Sequence, residues 1–294
     1  MELIGYLLML CFTALANAEG IVVKAYAKRY GGGGMLMNAI IALFAALFFL
    51  VADLIRTDGL YVPLEMLPLA LINAILYGAG FYSAFLAFKV GPYGLTRLLS
   101  SFSLLFSIVY GIVFLKEETT ALTYIGIAMI FAAMFLINIK GKDAKKDEEG
   151  GISLRWLIYI IITVVSNGFI GILTRMQQIR FDNACSNEFN LISIGGSFVI
   201  LAILGLIIDR DKLGSVAKNG ILYGAASGLC CGAKNLLLLV IYLFLPLSVI
   251  SPTNTGLGII SAFLISLFFY KEKYSPRQLI GVLLGTAAVV LLAL

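Results

Sequence analysis

Ten nearly uninterrupted apolar runs fill the chain, and no other feature constrains its fold as strongly. They cover about residues 3–26, 35–55, 64–88, 93–115, 121–139, 155–178, 188–208, 217–244, 248–270 and 276–294. Each approaches the roughly 20 residues that a helix needs to cross a bilayer. Each is too long and continuous for a strand, and a barrel would alternate apolar with polar positions. Hydrocarbon offers no water to satisfy backbone N–H and C=O groups, so the runs must be helical. Only 13% of the 294 residues are charged, and 61% are hydrophobic. A soluble globule with a mean hydropathy of +1.02 would expose apolar patches that soluble monomers rarely carry. The expected fold class is an all-α polytopic membrane protein with ten transmembrane helices, leaving little length for a separate soluble domain.

Several functions fall away at once. The sequence has no His, which removes His-ligated metals, His general bases and His proton relays. Cys11, Cys185, Cys230 and Cys231 have neither metal-ligand spacing nor a disulfide framework. Three of them lie in apolar runs, where Cys behaves as a small hydrophobe. Neither a resident metal nor a cofactor is expected. No nucleophile–base pair or paired-carboxylate site is visible, so the chain does not read as an enzyme. The net charge of +5 comes from Lys and Arg in the connections. It therefore reads as membrane topology rather than nucleic-acid binding. Ala16-Asn17-Ala18 has the form of a signal cleavage site, but Met1-Glu2-Leu3 supplies no basic segment before it. The first run is read as a span.

The chain reads as two copies of one unit. Phe114 to Gly126 (FLKEETTALTYIG) aligns with Phe269 to Gly281 (FYKEKYSPRQLIG), matching Lys116-Glu117 to Lys271-Glu272. Asn17 matches Asn167, Asn38 matches Asn190, and Gly91-Pro92 lies opposite Leu245-Pro246. These matches keep one order along both halves. The expected organisation is a five-helix repeat over 1–139, a polar linker over 140–154 (containing KGKDAKKDEEGG) and a second repeat over 155–294. An odd number of crossings inverts the second copy relative to the first. Inverted repeats suit alternating access around a site near the midplane.

In these features the chain resembles the drug/metabolite transporter superfamily, in its EamA-like branch. The resemblance rests on ten spans, the duplicated unit, the Lys-Glu turn before the last helix of each half, Gly126, Gly281 and Gly285, and Lys24 after Asn17. It implies two inverted bundles around a central substrate cavity. It does not imply one substrate, because such families move amino acids, nucleotide-sugars, other metabolites and drugs.

Lys and Arg fall unevenly among the connections. Those after odd-numbered runs carry fifteen, Lys24 among them, and those after even-numbered runs carry four. The positive-inside rule then puts the odd connections in the cytoplasm and both termini outside. The resemblance implies both termini inside, as in many relatives, so charge count and resemblance disagree, and the charge count is followed. The expected location is a bacterial cell membrane.

Charges within hydrocarbon are costly and usually face a cavity or a partner. Lys234 lies deep in the eighth run, beside Asn235 and small residues. It reads as an anchor for a carboxylate or phosphate, a gating charge, or the partner of an internal carboxylate. Glu19, two residues after Asn17, reads as the one carboxylate well inside a span, or as interfacial if the first helix ends early. A Glu19–Lys234 ion pair would explain how both charges are tolerated. Arg97, one turn into the fourth run, either faces an anion or reaches the head groups. Pro252 suggests that the ninth helix starts late or kinks, with Asn254 and Thr255 as caps or contacts. Tyr77, Tyr82, Tyr110 and Asn167 could line a cavity. Gly31 to Gly34 lack the Lys-Ser/Thr of a phosphate loop and read as a flexible connection.

The function expected from these residues is secondary transport, with export favoured, of a small polar metabolite such as an amino acid or an organic acid. The alternatives are a multidrug or organic-cation exporter, using Glu19 and the tyrosines, and a flippase for lipid-linked sugars. Expected partners are the small-molecule substrate, membrane lipid and a coupling proton, with small residues in the last spans that could form a homodimer face.

Overall fold

The computed structural model describes residues 2–55, 61–114, 116, 121–138, 153–182, 184–241, 244 and 247–291. Among these residues the regular structure is entirely helical. The helices of the first half are α1 (Glu2–Arg29), α2 (Gly34–Ile55), α3 (Leu67–Val90), α4 (Tyr93–Ser101), α5 (Leu104–Phe114) and α6 (Ala121–Asn138). Those of the second half are α7 (Leu154–Arg180), α8 (Ser186–Ile208), the single turn α9 (Leu213–Ser215), α10 (Ile221–Ile241), α11 (Leu247–Phe268) and α12 (Pro276–Leu291). Among the described residues α1, α2, α3, α7 and α8 are long and apolar enough to cross a membrane.

The fourth run, expected as one helix over 93–115, is broken into α4 and α5. Ser100 and Ser101 turn their hydroxyls back onto the carbonyls of Thr96 and Leu98. The backbone tightens to three-residue bonds, Phe102 N–H to Leu99 O and Ser103 N–H to Ser100 O. Serine competes in this way with the helical ladder. α11 begins at Leu247, five residues before Pro252, so the helix does not start late at that residue. Lys24, counted above as a connection charge, lies inside α1 and is buried, because the helix continues to Arg29.

The halves interlock rather than sit apart. α2 packs against α8 and α10, α3 against α7 and α8, and α1 against α10 and α11. The pairs α4–α11, α5–α7 and α6–α12 complete the bundle. Small residues permit the closest of these approaches. Gly224, Gly228 and Gly232 bring α10 onto α2 so tightly that an added Cβ would lie 2.6 Å from Ile40 Cγ2, 2.6 Å from Ile41 O and 2.4 Å from Phe48 Cγ. The α3 seams are polar, with Ser83 Oγ 2.9 Å from Thr163 Oγ1 and Asn73 Nδ2 donating to Ser193 Oγ at 3.2 Å.

The connections α1–α2, α3–α4, α8–α10 and α11–α12 meet at one end. There Lys89 donates to Gly31 O, Lys212 packs on Gly32, and Lys24 spans from Gly91 O to Glu272. The opposite end gathers the α2–α3 and α7–α8 connections, where Arg180 pairs with Glu65 at 3.5 Å and Asn187 donates to Asp53.

Candidate functional site

Between the halves lies a polar cavity of about 220 Å³, lined by Ala16, Asn17, Arg97, Ser100, Ser101, Asn167, Gly258 and Ile259. α1, α4, α7 and α11 each contribute to it. The α4–α5 break serves this cavity directly, because Ser100 and Ser101 stand at it. Asn17 Nδ2 donates to Thr13 O on its own helix at 3.0 Å and to Ser261 Oγ of α11 at 2.7 Å. Arg97 donates through Nη2 to Ala16 O, while its Nε is buried without a hydrogen-bond partner among the described residues. The guanidinium stacks 5.6 Å from the Phe88 ring centre and 5.9 Å from that of Tyr93. It also fills the space over Gly20, where a Cβ would come within 2.5 Å of Nη2.

Lys234 of α10 donates to Glu19 Oε2 of α1, with side chains 19% and 14% exposed. The two charges meet because α10 packs along α1. Arg97 lies within Coulombic reach of both. Two cations and one carboxylate therefore leave this region net positive. Hydrogen bonding to positive groups is the usual way such a site holds a carboxylate or phosphate.

The remaining expected residues are placed differently. Asn235 bonds back to Cys231 O at 2.8 Å on its own helix. Tyr77 packs against Phe81 in the α2–α8–α10 core rather than at the cavity. Tyr82 stands beside Gly34 at the end carrying the α1–α2 connection. Tyr110 stacks on Phe114. Long aromatic side chains fill gaps between packed helices, and sequence position alone does not separate that role from cavity lining. The side chains of Asn254 and Thr255 lie outside the described residues.

A polar cluster that sequence reasoning missed caps one end of the site. Glu272 accepts from Lys24 Nζ at 2.7 Å, from the backbone N–H of Tyr93, from the N–H of Gly94 at 3.1 Å and from Tyr274 Oη at 2.8 Å. Tyr274 Oη is also 2.6 Å from Ser266 Oγ. Tyr274 lies in the α11–α12 connection, where burial and then the neighbouring Glu272 carboxylate push its pKa above the ordinary tyrosine range. It thus remains a protonated donor to Glu272. The carboxylate sits where the N-terminus of α4 leaves N–H groups unpaired and its dipole favours negative charge. Tyr93 links this cap to the cavity, its hydroxyl 3.3 Å from both Asn17 O and Asn17 Oδ1. The Lys-Glu turn and Lys24 were visible in the sequence. Their meeting across 248 residues was not.

Two carboxylates at helix ends are buried as well, Asp53 two residues before the end of α2 and Glu188 in the first turn of α8. Asp53 of α2 and Glu188 of α8 are 4% and 7% exposed, covered because α2 and α8 pack along their lengths. Asp53 accepts from Asn187, while Asp53 Oδ2 and Glu188 Oε2 have no hydrogen-bond partner among the described residues. Among the described residues no group of three or more His, Cys, Asp or Glu side chains is arranged to hold a metal ion.

No curated protein matches the chain. A solved structure titled only "Crystal structure of protein" is similar over 100% of this chain and 98% of its own, with 16% identity and a TM-score of 0.53. At that identity the likeness concerns the fold alone. Residues 3–139 match the model of the EamA-like transporter family, and over that segment the chain is similar to this family of membrane transporters.

Proposed function

We propose that this protein is a secondary transporter that exports a small polar metabolite by alternating access. The observation that carries the proposal is the cavity shared by Asn17, Arg97 and Asn167, with the Glu19–Lys234 pair outside its lining but within Coulombic reach of Arg97. Its net positive character favours an amino acid, an organic acid or a phosphorylated metabolite over a bare organic cation.

The moving parts are two inverted five-helix repeats, residues 1–139 and 155–294, joined by the 140–154 linker. The helix contacts support this reading, because exchanging the halves maps most pairs onto one another. α3–α7 corresponds to α1–α10, α2–α10 to α3–α8, and α5–α7 to α1–α11, while α2–α8 and α6–α12 map onto themselves. Two backbone angles agree as well. Lys116 and Lys271, aligned in the repeat, hold the same left-handed conformation, with φ of 53° and 51°. Non-glycine residues seldom adopt it. Asn17 and Asn167, aligned likewise, both line the cavity.

In this scheme the Lys24–Glu272 cluster closes one end of the path, which the Lys and Arg distribution assigns to the cytoplasm of a bacterial cell. Transport is driven by a proton gradient or by exchange. The test is thermal stability of purified protein against a panel of metabolites, using the native chain and Lys234→Met. A ligand present at about 100 times its Kd stabilises by roughly 2.7 kcal/mol. Stabilisation by anionic or zwitterionic solutes that disappears in Lys234→Met is expected. Stabilisation by hydrophobic cations alone, undiminished in the variant, would overturn the reading.

A further inference from the structure

We propose that the seam between α1 and α11 is a lateral portal, and that the central site also accepts single-chain amphiphiles. The anionic head would lie beside Arg97 and Asn17, and the apolar tail in a groove outside the seam. This rests on reading the Arg97 cavity as the transport site.

The groove is about 510 Å³ and runs along Leu10, Ala14 and Ala18 of α1 and Leu257, Ile260 and Leu264 of α11. Leu10, Ile260 and Leu264 are among its exposed walls. In a bilayer they face acyl chains. Asn17 belongs both to this groove and to the polar cavity, so the two spaces share a wall. Among the described residues the seam is bridged by the side-chain hydrogen bond from Asn17 Nδ2 to Ser261 Oγ at 2.7 Å. On the cavity side of the seam, a Cβ on Gly258 would meet nothing within 4 Å. Polar groups thus lie on one side of the seam and hydrocarbon walls on the other.

That arrangement matches the two parts of an amphiphile. Lipid tails are as apolar as leucine, so a tail gains little by moving from the bilayer into the groove. Selection must come from the head group. Arg97, which lines the polar cavity, and the net positive surroundings supply it, because hydrogen bonds between ionised groups are the strong ones. The Asn17–Ser261 bond is the element that a head group must displace to enter from the side.

Cys11 is exposed on α1 next to Leu10, which provides a reporter at the groove. A bimane label on Cys11, with Cys185→Ser and Cys230→Ser, is read in phosphatidylcholine vesicles at alkaline pH. The quenchers are 5-doxyl-stearate and a 5-doxyl-phosphatidylcholine at equal mole fraction. Stearate is expected to quench at a mole fraction about fivefold lower. That excess should vanish in Arg97→Gln and in Gly258→Leu, which fills the cavity side of the seam. Ala14→Phe, at an exposed groove position, replaces Gly258→Leu if that variant does not fold. Equal quenching by the two probes would mean annular lipid only and overturn the proposal. So would an excess that survives Arg97→Gln or the seam-filling change. Short soluble carboxylates tested by thermal stability separate the two readings. Their failure to stabilise counts against the small-metabolite reading, while the quenching comparison decides the portal.

Discussion

Lys24 Nζ of α1 lies 2.7 Å from Glu272 Oε1 in the α11–α12 connection, joining residues 248 positions apart at the N-terminus of α4. The two side chains are 9% and 13% exposed, so this pair is shielded from solvent. The carboxylate also accepts from the Tyr93 and Gly94 N–H groups and from Tyr274, and these neighbours decide what its substitution does.

Glu272→Gln leaves Lys24 buried without its counter-charge. Breaking a buried pair in this way costs about 3–5 kcal/mol, read as lost stability in detergent. Exchanging the two residues, Lys24→Glu with Glu272→Lys, should not restore it. A lysine at 272 cannot accept from the α4 N–H groups or from Tyr274. Full recovery in the exchanged protein would show that only the charge pair matters there.

The Glu19–Lys234 pair predicts the opposite pattern. Both groups lie on helix flanks, and Lys234 Nζ donates to Glu19 Oε2 across the α1–α10 contact. Glu19→Gln and Lys234→Met alone should each destabilise by about 3–5 kcal/mol. The double change should cost clearly less than the sum. A double-mutant cycle measures the difference. Additive losses would mean that the pair contributes no coupling.

Gly91 is required by its neighbour rather than by its backbone. Its φ of −131° is open to other residues, but a Cβ would fall 2.1 Å from Trp156 Cδ1. Trp156 is fully buried, and its indole N–H donates to Thr96 Oγ1 at 2.9 Å. Gly91→Ala should destabilise by about 1–3 kcal/mol through overpacking. Trp156→Leu should reduce that increment. An unchanged melting temperature in Gly91→Ala alone would refute the contact.

Alkaline pH should act through Tyr274, whose pKa is raised in the folded protein. The unfolded chain releases this proton near pH 10, while the folded chain holds it. The stabilisation is therefore complete below about pH 10 and is lost as pH rises toward the folded value. Tyr274→Phe should flatten this alkaline decline, measured as the difference between the two stability–pH curves. Parallel curves would show that Tyr274 does not contribute.

The helices themselves were legible, because a run of about 20 apolar residues has one stable form in hydrocarbon. The charges that needed partners were legible too. Lys234 and Glu19 stood out against apolar surroundings, since an isolated charge there is costly. Other features follow from packing across the chain. Asp53 and Glu188 look interfacial by position near helix ends, and only the contact of α2 with α8 buries them. Tyr77 and Arg97 both sit in apolar spans, yet one fills a core and the other faces a cavity.

The sequence by itself determined that this chain is helical and lipid-solvated, and which of its charges must be accounted for, because those properties depend on local composition and the solvent. The tertiary structure alone decided that Lys24 meets Glu272, that Lys234 meets Glu19, and that Asn17, Arg97 and Asn167 share one cavity. Those relationships depend on the rotation and pairing of whole helices. Many small packing contacts, most visibly the glycine seam between α2 and α10, set that arrangement together.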